Sequence, residues 1–553
     1  MATRRTQIDP LVSPRRVLAG RVVTMDAAFT VIPDGRVFME NGVLTAVQPA
    51  EAPPPAGFES VRVTQTRGTI YPGLVDLHNH LPYNVLPLWQ VPRKYGNRGQ
   101  WASAAAYRTA VGAPMKVLGA TPELLASICR YVEAKCLLGG TTTSQGITLA
   151  NAAGIRRYFR GVVRNVEATD EAALPPASTR VPDVAARDAQ AFLTRLKRQK
   201  TCYLLHLSEG LDATAHRAFE ALQLAPGEWA ITPSLCGIHA AALKAPDFET
   251  LAAHGGSMVW SPFSNLLLYG GTADVGAAKA AGVPIALGPD WAPTGSRNQL
   301  GELKVAWLWS EMHGLFSARD LVAMVTRDAA RMLEWSGALG SLEAGKRADL
   351  MVVDGVQGDP YQQLIFATEA DVRLVVINGV ARVGMLSMMR AMGASAGERI
   401  KVGGESRLAD LAHPQADPLV QGLGIGAAHD KLVDALGQLP ALARRAERPM
   451  PVSALARMGA APEANAWHLA LDELVDTGVD LRHHLAPAGA EGRPLQRALM
   501  RPVGAAAGPL PSAEVKKMPV DPLTVVDDPD YLDRIDAQPN LPQEIKDGLR
   551  AFW

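Results

Sequence analysis

The sequence predicts an α/β protein: a (β/α)8 TIM-like barrel, a β-sandwich formed by the segments flanking it, and a mostly helical C-terminal extension. Three observations predict this. From Gly68 to Trp335, apolar strand-like runs alternate with helical patterns, the signature of a parallel α/β fold. Short β-like runs broken by turn residues lie on both sides of that region. Four of the 12 histidines and one aspartate stand where strand-like runs end, the face on which barrel sites are built.

Residues 1–67 supply the first part of the sandwich, with runs at 17–25, 30–40, 42–47 and 61–64. Pro33-Asp34-Gly35 and Asn41-Gly42 mark turns between them, and residues 53–55 a loop. Residues 68–338 form the barrel. Its strand runs lie at 70–77, 141–147, 162–166, 202–207, 231–238, 258–260 and 284–287. Helical patterns follow at 122–138, 185–198, 214–222, 246–253, 275–281, 300–313 and 318–335. The eighth strand is expected between 167 and 187, short and irregular because Pro175, Pro176 and Pro182 crowd it. Residues 339–394 return to β texture as the second part of the sandwich, with a hairpin turn at Asn378-Gly379. Residues 395–553 form the extension, with helices expected near 429–446 and 463–477 and an extended arm at 509–553.

Composition excludes several classes. Basic and acidic residues balance at 55 each, so neither nucleic acid nor a membrane surface is expected as a partner. No apolar run approaches the ~20 residues of a membrane helix. Residues 1–21 are basic without the apolar block of a secretory signal. Four cysteines in 553 residues do not make a disulfide framework. We expect a cytoplasmic protein with reduced thiols, a homo-oligomer acting on a small molecule.

Gly68 to His80 reads Gly-Thr-Ile-Tyr-Pro-Gly-Leu-Val-Asp-Leu-His-Asn-His. Residues i and i+2 of a strand share a face, so His78 and His80 present adjacent imidazoles. His206 ends one later run, in Leu-Leu-His-Leu-Ser-Glu-Gly, and His239 ends another, in Leu-Cys-Gly-Ile-His. Asp290 ends the last, in Ala-Leu-Gly-Pro-Asp. Imidazoles with one carboxylate, completed by water, compose a catalytic divalent-metal site. A substrate pocket is expected from the loops after the strands. The longest, 81–121, interleaves Tyr83, Trp89, Tyr95, Trp101 and Tyr107 with Arg93, Lys94, Arg98 and Arg108, a mixture suited to a planar ring or an anionic group. Ser264, Asn265, Tyr269, Trp291 and Arg297 lie just past other strand ends and are expected to line it too; Trp89, Trp101, Ser264, Asn265, Trp291 and Arg297 are the substrate-binding candidates.

These motifs, with Ile-His-Ala-Ala-Ala-Leu, Trp-Ser-Pro-Phe-Ser-Asn-Leu and Gly-Ser-Leu-Glu-Ala-Gly-Lys-Arg-Ala-Asp-Leu in the same order, resemble the amidohydrolase superfamily. The resemblance covers roughly residues 15–390 and is nearest to the branch of mononuclear deaminases and triazine-type hydrolases. It implies a metal held by His78, His80, His206 and Asp290. Two-metal members usually carry a carboxylated lysine on the fourth strand. No lysine lies between Lys135 and Lys197, so one divalent ion is expected, zinc before iron or manganese. Glu209, three residues after His206, and His239 are expected to move the proton, with Asp290 able to accept one. The implied reaction is hydrolysis of a non-peptide C–N bond: deamination, or amide-type hydrolysis, of a cyclic or aromatic small molecule. Hydrolytic dechlorination is the alternative within the same water chemistry. A catalytically inactive structural relative is the alternative from another class, and the intact ligand set argues against it.

Two further matches fail on context. Gly393-Ala-Ser395-Ala-Gly397 fits G-x-S-x-G, but a helix-favouring stretch precedes it where the nucleophile elbow needs a strand. Gly422-x-Gly424-x-x-Ala427 has no βαβ unit around it.

Overall fold

Gly73 divides the run expected as one strand at 70–77. Val63–Pro72 belongs to a nine-stranded sheet, and Leu74–Val75 begins a parallel one. A Cβ at Gly73 would collide with the Thr142 side chain, so only glycine lets the chain cross here. The computed structural model describes residues 13–151, 155–169, 171–394, 396–447, 467–471 and 515–553.

Two parallel sheets carry the expected strands. Leu74–Val75, Thr141–Ser144 and Arg164–Asn165 form one; Ser178–Arg180, Tyr203–Leu207, Leu235–His239, Ser257–Trp260 and Ile285–Leu287 form the other. Ser178–Arg180 is the strand expected between 167 and 187. Backbone bonds join the two sheets at both ends. Ala177 N–H donates to the Val166 carbonyl at 2.8 Å. On the other side Asp290 N–H donates to the His78 carbonyl at 3.0 Å, and His80 N–H to the Asp290 carbonyl at 2.9 Å. The longer strands are buried along their whole length, as strands covered on both faces must be. Helices such as Leu125–Leu138, Ala245–Ala253 and Gln299–His313 follow in the expected places. The helix expected at 318–335 is two, Ala318–Met324 and Arg327–Met332. Thr326 breaks it with φ −135° and ψ −99°.

The flanks meet in the nine-stranded sheet, where Leu350–Asp354 runs antiparallel to Val63–Pro72. Alternate residues of one face, including Leu18, Val22, Ile70, Leu350, Val352, Leu374 and Val376, share one buried cluster with Met388 and Met389. Asn378 and Gly379 both have positive φ, +50° and +73°, as a two-residue type I′ hairpin turn requires. Leu386–Ala391 is helical, which removes the strand a nucleophile elbow would need, although Ser395 itself lies outside the described residues.

In the extension, the helix expected near 429–446 is two, Ile425–Gly437 and Leu439–Glu447. Most of 463–477 lies outside the described residues. Within it, His468–Leu469 pairs as a strand with Thr148–Ala150 rather than as a helix. The expected extended arm needs correction: 515–553 shares a buried apolar cluster with residues of 81–147 and contains the helices Tyr531–Asp536 and Gln543–Arg550. Ile535, Ile545 and Leu549 are buried at helical spacing. Asp521 is buried between Lys135 and Arg297. Among the described residues all four cysteines are free and buried, and no helix is long and apolar enough to cross a membrane.

Removing one partner of a buried ion pair leaves an uncompensated charge. Asp521→Ala should therefore cost about 3–5 kcal/mol by chemical denaturation, whereas loss at an exposed pair costs under about 1 kcal/mol.

Candidate active site

The ends of the parallel strands converge on one buried cluster. His78 and His80 extend from Leu74–Val75, His206 lies within Tyr203–Leu207, His239 closes Leu235–His239, and Asp290 follows Ile285–Leu287. His206 Nε2 stands 3.2 Å from Nε2 of both His78 and His80. Asp290 Oδ1 lies 3.3 Å from His78 Nε2 and 3.5 Å from His80 Nε2. His239 offers a nitrogen to the same group, within 4.8 Å of His78 and His206.

Outer partners set the direction of each ring. His206 Nδ1 faces the Arg180 carbonyl at 3.3 Å, an acceptor only, so its proton sits there and the Nε2 lone pair points inward. His78 Nδ1 is 2.8 Å from Ser261 Oγ. Burial, then the neighbouring imidazoles, push both His78 and His206 well below the ordinary histidine range, so both are neutral. Burial raises Asp290, against the Ser264 hydroxyl that donates to its Oδ2 at 2.7 Å. Inward lone pairs around a buried carboxylate repel unless a cation lies between them. The donor set therefore fits a divalent metal ion.

His239 differs. Thr272 Oγ1 donates to Asn265 Oδ1 at 3.2 Å, which turns the amide Nδ2 toward His239 Nδ1 at 3.0 Å. That nitrogen accepts, so on this hydrogen-bond assignment Nε2 carries the proton. It faces Glu209 Oε2 at 3.7 Å. Glu209 Oε1 accepts from the Tyr269 hydroxyl at 2.8 Å, and Trp101 Nε1 donates to that hydroxyl at 2.8 Å. Four residues here hold left-handed backbone: Ser208 (φ +51°), His239 (+68°), Ala240 (+49°) and Asp290 (+66°). Such conformations cost about 1–3 kcal/mol each in non-glycine residues and cluster at functional sites.

A pocket opens on this group, walled by Arg98, Trp101, Tyr107, Val181 and Trp291. The structure thus brings Trp101 and Trp291 of the expected substrate-binding residues to the site. Ser264 and Asn265 stand behind it, on Asp290 and His239. Trp89 lines no part of it and packs behind Tyr107, ring centroids 5.8 Å apart. Arg297 is directed away, its guanidinium bound by Asp521 and Asp528 of the C-terminal segment. Tyr269, expected among the pocket residues past a strand end, stands instead behind Glu209. Arg98 and Tyr107 were signalled only by the aromatic–basic texture of 81–121, and Val181 by nothing in the sequence.

The profile described as "Amidohydrolase family" matches residues 69–382, more than half the chain. The chain belongs to the amidohydrolase family. It is a hydrolase acting on carbon–nitrogen bonds other than peptide bonds. A 5-methylthioadenosine/S-adenosylhomocysteine deaminase of Syntrophobacter fumaroxidans is 26% identical over 418 residues, covering 65% of this chain and 90% of its own. An adenosine deaminase from Xanthomonas campestris with bound zinc superposes at TM-score 0.50 and 19% identity, over 67% of this chain and 93% of that one. An atrazine chlorohydrolase from Arthrobacter aurescens complexed with zinc gives 0.50 and 20%, over 66% and 94%. Likeness at this level shows a shared TIM-barrel-like α/β fold.

In this amidohydrolase, Ser264→Ala removes the hydroxyl that orients Asp290. It should weaken divalent-metal retention about 10–100-fold in competition with a chelator.

Proposed function

We propose that this amidohydrolase deaminates, or cleaves an amide-type C–N bond in, a cyclic or aromatic small molecule, using one zinc ion. His78, His80, His206 and Asp290 would hold the ion. The observation that carries this reading is the placement of Glu209 and His239 together beside the ligand group, at the floor of an aromatic pocket. The deaminase named among its relatives supports it. We also read the two parallel sheets as arcs of one eight-stranded barrel at 68–338. Residues 1–67 and 339–394 then form the sandwich and 395–553 the extension; the seam bonds and the shared apolar cluster support this.

A divalent ion at such a site supplies an activated water with a pKa near ~7. Glu209, beside the ligand group, would accept a proton on its carboxylate and deliver it to the departing nitrogen. Its carboxylate is held for both tasks by Tyr269 and, through it, Trp101. His239 directs its Nε2–H at the oxygen that gains charge at the attacked carbon. Trp101, Tyr107 and Trp291 hold a planar ring by their faces and edges and exclude bulk water. Ser264 and Asn265 are positioning residues acting through Asp290 and His239.

Dechlorination, the alternative within the same water chemistry, is disfavoured. A halide leaves as an anion and needs no proton, whereas an amine leaves poorly without one. The buried, hydrogen-bonded Glu209 therefore favours nitrogen as the leaving group.

Screening the zinc-loaded enzyme for ammonia release over heterocyclic amines and cyclic amides tests the reaction. On any substrate found, Glu209→Gln should lower turnover about 10²–10⁴-fold with metal content unchanged. Full turnover in that variant sinks the proton role, and two ions per chain by elemental analysis sinks the single-metal reading.

A further inference from the structure

The helix Pro262–Tyr269 and the serine before it hold the outer partners of four site residues. Ser261 Oγ lies 2.8 Å from His78 Nδ1, and Ser264 donates to Asp290, Asn265 to His239 and Tyr269 to Glu209. Positions 261, 264, 265 and 269 recur at helical spacing, so these side chains lie along one stripe. A shift of this one element moves ligands and proton-moving groups together. Eight residues make two turns, too few to stand without tertiary support. What fixes the two ends therefore matters.

At the first end, Glu302 Oε1 accepts from the Phe263 N–H at 3.1 Å. At the other, the last carbonyls of a helix lack intrahelical donors. Gly270 N–H returns to the Leu266 carbonyl at 2.8 Å. The next two carbonyls are met from outside the helix. Tyr95 N–H donates to Leu268 at 2.9 Å, and Asn540 Nδ2 donates to Leu267 at 2.8 Å. Asn540 is buried and belongs to the C-terminal segment, beyond the family match, which ends at residue 382. Leu267 is fully buried, so without Asn540 its carbonyl turns toward another donor and carries the last turn with it. Tyr269, two residues on, moves too. We propose that Asn540 is a positioning residue for the hydrolysis, holding this turn so that Tyr269 keeps Glu209 in place. The C-terminal segment is then a working part of the active site, although it lines no part of the pocket. The proposal rests on the proton role of Glu209.

Backbone hydrogen exchange in the zinc-loaded full chain tests the anchoring without turnover. Asn540→Ala should speed exchange across 266–271 about tenfold, the range for a buried acceptor left without its donor. Ile545→Val thins the packing of the same segment but keeps the amide, and should leave that exchange unchanged. Asn540→Asp, of the same shape with no N–H, serves if the alanine variant does not fold. Unchanged exchange in the Asn540 variant, or equal acceleration by Ile545→Val, overturns the proposal. On any substrate that releases ammonia, Asn540→Ala should lower kcat about tenfold, with KM and zinc content unchanged. In a Tyr269→Phe background the same substitution should cost less than about twofold, because both act through Glu209. An unchanged kcat, losses that add, or a rise in KM alone leave Asn540 a merely structural role and overturn the proposal. If exchange responds but no substrate releases ammonia, the reaction reading fails and the anchoring stands.

Discussion

Two backbone hydrogen bonds across the seam between the first and last parallel strands hold the site together. They link His78 and His80 to Asp290 through the main chain. The three side chains meet only because that register is kept. A slip of one residue would turn the histidine pair to the opposite face. The left-handed backbone at Asp290 and His239 belongs to the same constraint. It aims side chains inward just past the strand ends, and the surrounding network of Ser264, Asn265 and Ser261 offsets its cost.

Around that seam the molecule is built in successive supports. The metal-ligand group is oriented by Ser261, Ser264 and the Arg180 carbonyl. Glu209 is oriented by Tyr269 and Trp101. The loop that carries Trp101 is in turn tied to the C-terminal segment. Gln538 bonds the Trp89 carbonyl and the Val91 N–H, and Asp521 N–H reaches the Val85 carbonyl. Burial of Asp521 against Lys135 and Arg297 anchors that segment. Among the described residues, the extension thus bears on the pocket without supplying a group to its lining.

Much of the candidate site was legible because strand periodicity is short and strict. His78 and His80 share a face by spacing alone, and strand-end placement singled out His206, His239 and Asp290. The proline-bracketed strand Ser178–Arg180 was legible from the closure that a parallel barrel demands. Pocket residues were harder. A loop obeys no period, so Trp89 and Trp101 looked equivalent, yet one packs behind the other's wall. Arg297 was misplaced for a different reason. Its partners Asp521 and Asp528 lie more than 200 residues away, in a tail whose prolines and acids read as an extended arm.

The sequence by itself determined the α/β class, the order of the parallel strands, and the strand-end residues His78, His80, His206, His239 and Asp290 that the structure gathers. Each follows from local spacing and side-chain chemistry. Only the tertiary structure decided which aromatic residues wall the pocket, that Arg98 pairs with both Asp183 and Glu209, and that Arg297 is committed to the C-terminal segment. Those outcomes depend on contacts between segments remote in the chain, where no local pattern specifies the partner.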